Sequence, residues 1–276
     1  RLDGAANAAA ANAILAEVTP QVQASAIMSG NAVQKSLDVV GTRASELRAG
    51  IDKSVSGMAA GGAVKDKGIW AQAFGTTADQ ETRDGVLGYD ADTYGLAAGA
   101  DMVVAANTRA GVSVSYGNTE VESVTSAQNT DIDTYQVNLY GFHDMGQWYA
   151  DGLVGFAWQN YDSSRVIGGV GTAAADYDGQ TYTVRANTGY RMDAGSGFQV
   201  IPNGGLTYLN NQVDGYTETG AGGLNTIVSD YDTQALFGRI GVDIAKDFNN
   251  NGAIVRPSVR AAYLYDFLGD EASTPA

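Results

Sequence analysis

The side chains that could do chemistry are few, and their types exclude most of it. Histidine occurs once, as His143, and cysteine does not occur at all. A Ser-His-Asp or Cys-His arrangement needs its imidazole beside a nucleophile, but His143 falls in G-F-H-D-M-G, at a short turn. One His without Cys cannot assemble the usual four-ligand zinc sets. Gly168-Gly169-Val170-Gly171 lies in a loop and not between a strand and a helix, so it does not match a phosphate cradle. The stretch A-G-S-G-F at 194–198 reads as a turn and lacks the nucleophile-elbow pattern. The expectation is therefore no catalytic residue, no metal centre and no cofactor.

Carboxylates and guanidiniums remain. Asp-x-Asp recurs as Asp90/Asp92, Asp131/Asp133, Asp176/Asp178 and Asp230/Asp232, at spacings of 41, 45 and 54 residues. That is one pair per hairpin if each repeat is a hairpin. Paired carboxylates suit hard divalent cations; they equally suit a solvated strand start after a loop, and both readings stand. The formal net charge of −15, from 31 acidic and 16 basic residues, disfavours a nucleic-acid partner, because a phosphate backbone calls for clustered Lys and Arg. Absence of Cys suits a chain that crosses an oxidising compartment.

The elements that must position these groups are strands. Gly numbers 36, Tyr 15 against 7 Phe, and Pro only 4, a mix for many strands and turns. Nine strands are expected at about 68–76, 91–104, 108–118, 131–143, 148–161, 176–192, 197–212, 230–247 and 253–268. Short turns at 106–107, 144–146, 193–196 and 249–251 alternate with long loops at 77–90, 119–130, 162–175 and 213–229. Short connections on one side and long ones on the other fit an up-and-down membrane barrel better than a Greek-key sandwich.

The arginines decide which face is wet. In T-Y-T-V-R-A-N-T-G-Y-R-M at 181–192, Tyr182, Val184, Ala186, Tyr190 and Met192 share one face, and Arg185, Asn187 and Arg191 the other. The same sorting puts Arg109, Arg239, Arg256 and Arg260 on polar faces, with Asp101, Asp151, Asp243 and Asp266. Arg or Lys facing lipid at the midplane costs about 2–4 kcal/mol each, so one-sided placement is what a bilayer enforces. Trp70, Trp148, Trp158, Tyr94, Tyr135, Tyr265 and Phe267 near strand ends would form the interfacial girdles.

Upstream, Thr19-Pro20 is a helix start signal, and a helix is expected from there to about Arg48, stopped at Gly50. Its thin apolar stripe (Val22, Ile27, Val33, Leu37, Val40, Leu47) suits either a surface helix or coiled linker, or a helix threaded through a narrow polar pore. Residues 50–66, with Gly57, Gly61 and Gly62, read as a flexible link.

A helix carrying T-P-Q-V-Q-A-S, a glycine-rich link, then G-I-W-A-Q-A-F-G opening the first strand, resembles the translocator domain of autotransporters, the type V secretion family. Y-G-L-A-A-G-A-D at 94–101, P-N-G-G-L-T-Y-L at 202–209 and G-Y-T-E-T-G-A at 215–221 support it. The resemblance implies an all-β transmembrane antiparallel barrel of 12 strands with an N-terminal α-helix in the pore, and a secreted passenger ahead of it. It implies residues 1–18 as the end of the passenger or linker, 19–66 as pore helix and link, and 67–276 as an outer-membrane barrel. About nine strands are visible, so the barrel is expected to be incomplete at its C-terminal end, and a chain beginning at Arg1 is expected to be a fragment or processed form.

On this reading the inward arginines hold the helix through Asp38 and Glu46. The expected partners are outer-membrane lipid and lipopolysaccharide, the passenger, the barrel assembly machinery and periplasmic chaperones, with no nucleic acid. A porin or adhesin-type barrel without a translocation role is the alternative.

Overall fold

The computed structural model describes residues 15–16, 18–48, 67–82, 88–246, 248–250 and 253–268. The helix α1 (Val22–Arg48) precedes the strands β1 (Lys67–Gln80), β2 (Tyr89–Ala105), β3 (Thr108–Ser123), β4 (Gln128–Met145), β5 (Trp148–Ile167) and β6 (Gly171–Tyr190). There follow β7 (Met192–Gly195), β8 (Phe198–Val213), β9 (Tyr216–Thr217), β10 (Ile227–Val228), β11 (Tyr231–Lys246), β12 (Phe248–Asn250), β13 (Ala253–Val255) and β14 (Ser258–Asp266). The long strands pair antiparallel in the order β1-β2-β3-β4-β5-β6-β8-β11-β14, each with its neighbour in the chain. They form a half-barrel around α1. Among the described residues no pairing joins β1 to β14, so these are its two edges. The expected link at 50–66 and the end of the chain lie outside the described residues.

The two faces of the central strands differ as a bilayer requires. Val112, Val114, Leu139, Val154, Val184, Leu206 and Ile240 point outward, each about half exposed or more, while Ser113, Gln136, Asn138 and Thr183 point inward and are buried. An antiparallel sheet over a water-soluble core shows the reverse. No described helix is long and apolar enough to cross a membrane. Outward aromatics form a belt: Tyr116 contacts Tyr135 with ring centroids 5.2 Å apart, and Phe156 lies against Trp158 and Tyr182 at 4.5 and 4.9 Å.

Two of the four expected long loops are not loops. Strands β3 and β4 run on until only 124–127 separates them, and β5 and β6 until only 168–170 does. At 20 residues each, β5 and β6 exceed the roughly 9–11 that span a bilayer, so their ends stand above the membrane. There the outward positions become Glu120, Glu122, Asp131, Asp162 and Asp176, all exposed. The inward positions become Val121, Ile132, Tyr161 and Tyr177, all buried against one another and Ala24 and Met28 of α1. The charge that made these stretches read as loops is the solvated outside of a raised rim. The helix also starts later than Thr19-Pro20 suggests: Gln21 is the residue before the first helical position, its N–H donating to Gln128 Oε1 at 3.2 Å.

Candidate functional site

The site is the polar lumen between α1 and the strands. At the short-turn end, Asp101 of β2 is fully buried and takes two guanidiniums. Arg43 of α1 reaches Oδ2 through Nε at 2.9 Å, and Arg109 of β3 reaches Oδ1 through Nη2 at 3.1 Å. The Tyr140 hydroxyl also donates to Asp101 Oδ2 at 3.2 Å, and Trp70 Nε1 donates to that hydroxyl at 2.8 Å. Gly99 makes room for this group: a Cβ there would meet the Trp70 ring at 2.6 Å.

Further along, Arg185 of β6 crosses the lumen. Its Nη1 meets Asp38 Oδ1 at 3.0 Å and its Nη2 donates to Gln34 Oε1 at 2.7 Å, while Nε holds Thr207 Oγ1 at 3.1 Å. On the opposite wall Ser36 and Ser115 share a hydroxyl hydrogen bond of 2.6 Å. Arg260 donates to Ser45 Oγ at 2.8 Å and lies 3.7 Å from Asp243. Glu46 is half-buried in the field of Arg43 and Arg260. Toward the other end, Asn211 Nδ2 donates to Ser29 Oγ at 2.8 Å. The helix is thus tied to the wall by side-chain hydrogen bonds at several heights, with the small residues between them allowing close approach. Beside it lies a cavity of about 490 Å³, lined by charged side chains such as Asp38, Asp151, Arg185, Arg239 and Arg260 and by apolar ones such as Phe237 and Leu264.

The remaining sequence-derived positions do other work. Arg239 donates to Asn203 Oδ1, and Asp151 accepts from Asn187 Nδ2 at 2.8 Å, both along the wall. Arg191 is no part of the helix seat: it binds Asp144 at 2.9 Å and the Gly146 carbonyl at 2.6 Å, tying two short turns together over the Tyr149 ring. Asp266 accepts the N–H groups of Leu236 and Leu268 and closes a strand end. Arg256 lies just before β14, half-buried. The four Asp-x-Asp pairs are spread along the rim, and among the described residues no three His, Cys, Asp or Glu side chains are placed to hold a metal ion.

The chain's polarity in the lumen follows from these contacts. The C-terminal turns of α1 meet Asp101 and Arg109, close to the short turn at Ala106-Asn107. The residues before α1 meet Gln128, Ser123 and Gly88 at the loop end. Residues 69–276 match the family described as the autotransporter β-domain. The chain belongs to the autotransporter β-domain family.

Relatives agree. The chain is 27% identical to outer membrane protein B of Rickettsia rickettsii over 219 residues, covering 73% of this chain and 13% of that protein. It is 25% identical to outer membrane protein B of Rickettsia prowazekii (strain Madrid E) over 265 residues, covering 87% and 16%. The chain therefore spans only a small part of the length of the curated relatives it matches. The translocator domain of the autotransporter NalP from Neisseria meningitidis has the same fold, with a TM-score of 0.61 at 17% identity and 85% of each chain covered. The β-domain of the Bordetella autotransporter BrkA superposes with a TM-score of 0.62 at 20% identity, covering 73% of this chain and 79% of the other.

Sequence reasoning missed Arg43, because arginines were sorted on strands alone and Arg43 lies on the helix. It also missed Gln128 and the Arg165–Glu218 pair, which sit in stretches read as loops.

Proposed function

We propose that this autotransporter β-domain anchors an upstream passenger and helps export it, with α1 held in the lumen as the segment that joins the two. The observation that carries this is the direction of α1. Ala16, Thr19 and Gln21 lie against Gln128 at the loop-side rim, which faces outward from the cell in a barrel with short periplasmic turns. The lumen contacts are polar and local, as suits a segment that must seat in a wet pore. Arg185, Arg260, Asp38 and Asp101 with Arg43 and Arg109 hold it there; Glu46, Arg239, Asp151 and Asp243 set the charge around it. Residues 1–18 form the passenger end or linker, 19–66 the pore segment and 67–276 the barrel. The domain carries no catalytic role of its own in this reading.

A strand edge unpaired in hydrocarbon is costly, so a barrel of this kind is expected to meet the barrel assembly machinery and periplasmic chaperones before insertion, with outer-membrane lipid and lipopolysaccharide around the finished wall. The test is surface display. An epitope placed ahead of residue 15 should be labelled on intact cells, and deletion of residues 19–48 should abolish labelling while the barrel still reaches the outer membrane. Equal labelling with and without the helix would favour a porin or adhesin-type barrel.

A further inference from the structure

The loop-side mouth is built differently from the rest of the lumen. Tyr161, Tyr177 and Tyr216 stack face to face, with centroids 4.8 and 4.1 Å apart and planes within 7° and 11° of parallel. They belong to a buried apolar collar with Tyr89, Val121, Ile132 and Val213 that closes around Ala24 and Met28 of α1. The third ring of the stack, Tyr216, comes from the connection between β8 and β11.

That connection, residues 214–230, is folded back over the mouth. Its short β9 and β10 strands pair with each other, and Thr219 exchanges both backbone hydrogen bonds with Ala174 of β6, at 2.9 and 2.8 Å. Ala221 packs on Ile167, Ala173 and Val18. Arg165 of β5 and Glu218 of the loop form an ion pair in which both residues are almost fully buried, with Nε to Oε1 at 3.2 Å. Arg165 also donates to the Leu224 carbonyl, and Thr226 N–H donates to Glu218 Oε2. Beneath the loop the emerging backbone is gripped. Gln128 Nε2 donates to the carbonyls of Ala16 at 2.7 Å and Thr19 at 3.0 Å, while Gln128 Oε1 accepts from Gln21 N–H.

We propose that residues 214–230 are a lid over the exit of the exported chain, with Arg165–Glu218 as its latch and Gln128 as the clamp on the emerging backbone. Removing one partner would leave the other charge buried and uncompensated in the closed loop, so the closed position depends on both Arg165 and Glu218. The collar packs its apolar side chains against α1, so lid and collar together cover the outer mouth along β2 to β8 while the lumen beneath them is lined by polar groups. This rests on the export reading above, because a lid needs something to pass beneath it.

The test combines amide exchange with conductance of the membrane-inserted full-length protein. Glu218→Gln should speed exchange at Ala174, Thr219 and Thr226 several-fold, leave the amides of β2 to β4 unchanged, and raise the resting current in potassium chloride several-fold. Ala174 and Thr219 exchange both hydrogen bonds, so their Cα atoms stand at about 5.5 Å, within disulfide range. Placing Ala174→Cys and Thr219→Cys in the Glu218→Gln background should restore the low current when oxidised and release it when reduced. Unchanged exchange and current in Glu218→Gln would overturn the latch, and a raised current that the disulfide does not lower would overturn the lid. A passenger epitope that never reaches the surface, while lid exchange still answers to Glu218→Gln, would overturn the export reading and support the latch.

Discussion

Arg43, on the helix, and Asp101, on the second strand, meet inside the barrel wall at 2.9 Å, with the carboxylate fully shielded from solvent. Arg109 supplies a second guanidinium to the same carboxylate. The pair fixes the C-terminal turns of α1 to the wall that carries the short turns, and so fixes which way the chain points.

Removing one partner should therefore cost far more than removing a surface charge. Asp101→Ala leaves two guanidiniums in a buried site and is expected to destabilise the domain by about 3–5 kcal/mol. Adding Arg43→Met to Asp101→Ala should cost less than Asp101→Ala alone, because one guanidinium and not two then remains in the site. Urea unfolding of the four proteins in a double-mutant cycle checks this.

Gly99 lies against the Trp70 ring, where an added Cβ would come within 2.6 Å. Overpacking of this kind costs about 1–3 kcal/mol. Gly99→Ala should lower stability by that amount and weaken the hydrogen bond from Trp70 to Tyr140, which tryptophan fluorescence would report.

The outer face should reject charge at bilayer depth. Val114 and Leu139 are 60% and 56% exposed in the protein alone, which in a membrane means contact with lipid. Val114→Arg or Leu139→Arg is expected to cost about 2–4 kcal/mol of stability in bilayers. If the face met water, folding measurements in lipid vesicles would show no penalty.

The rim should respond to pH with an unusual sign. Asp131 stands above the aromatic belt, outside the bilayer, directly opposite Glu120 on one side and Asp162 on the other. Partial loss of hydration first, then the charges of Glu120, Asp162 and Asp133, raise its carboxyl above the ordinary value. A carboxyl raised in the folded state disfavours folding once ionised, so it weakens the rim as pH rises through the carboxylate range. Asp131→Asn should slow amide exchange in the outer ends of β3 to β5 at pH 7, and the difference from wild type should vanish as pH falls below 4.

Much of the architecture was legible because a strand repeats every two residues and a bilayer punishes every misplaced guanidinium. Arg109, Arg185 and Arg260 declared the inner face for that reason. The rim was not legible, since above the membrane the alternation stays but its chemistry inverts. Glu120 and Asp131 outside, with Val121 and Ile132 inside, look like a polar loop until the third dimension separates them. Contacts between distant segments were invisible on the same grounds: Arg165 and Glu218 lie 53 residues apart, and Gln128 meets the chain 112 residues upstream at Ala16. No local pattern records such a pairing. Arg43 was hidden by its helix, whose sparse apolar stripe gave no sign of the carboxylate facing it.

The claim on which everything turns is that α1 occupies the lumen, and the hydroxyls of Ser36 and Ser115, 2.6 Å apart, offer the most direct test. In the otherwise cysteine-free chain, Ser36→Cys with Ser115→Cys should form an intramolecular disulfide under mild oxidation in intact outer membranes, seen as a mobility shift that reductant reverses. Two freely labelled thiols with no crosslink would place the helix outside the barrel and contradict the account.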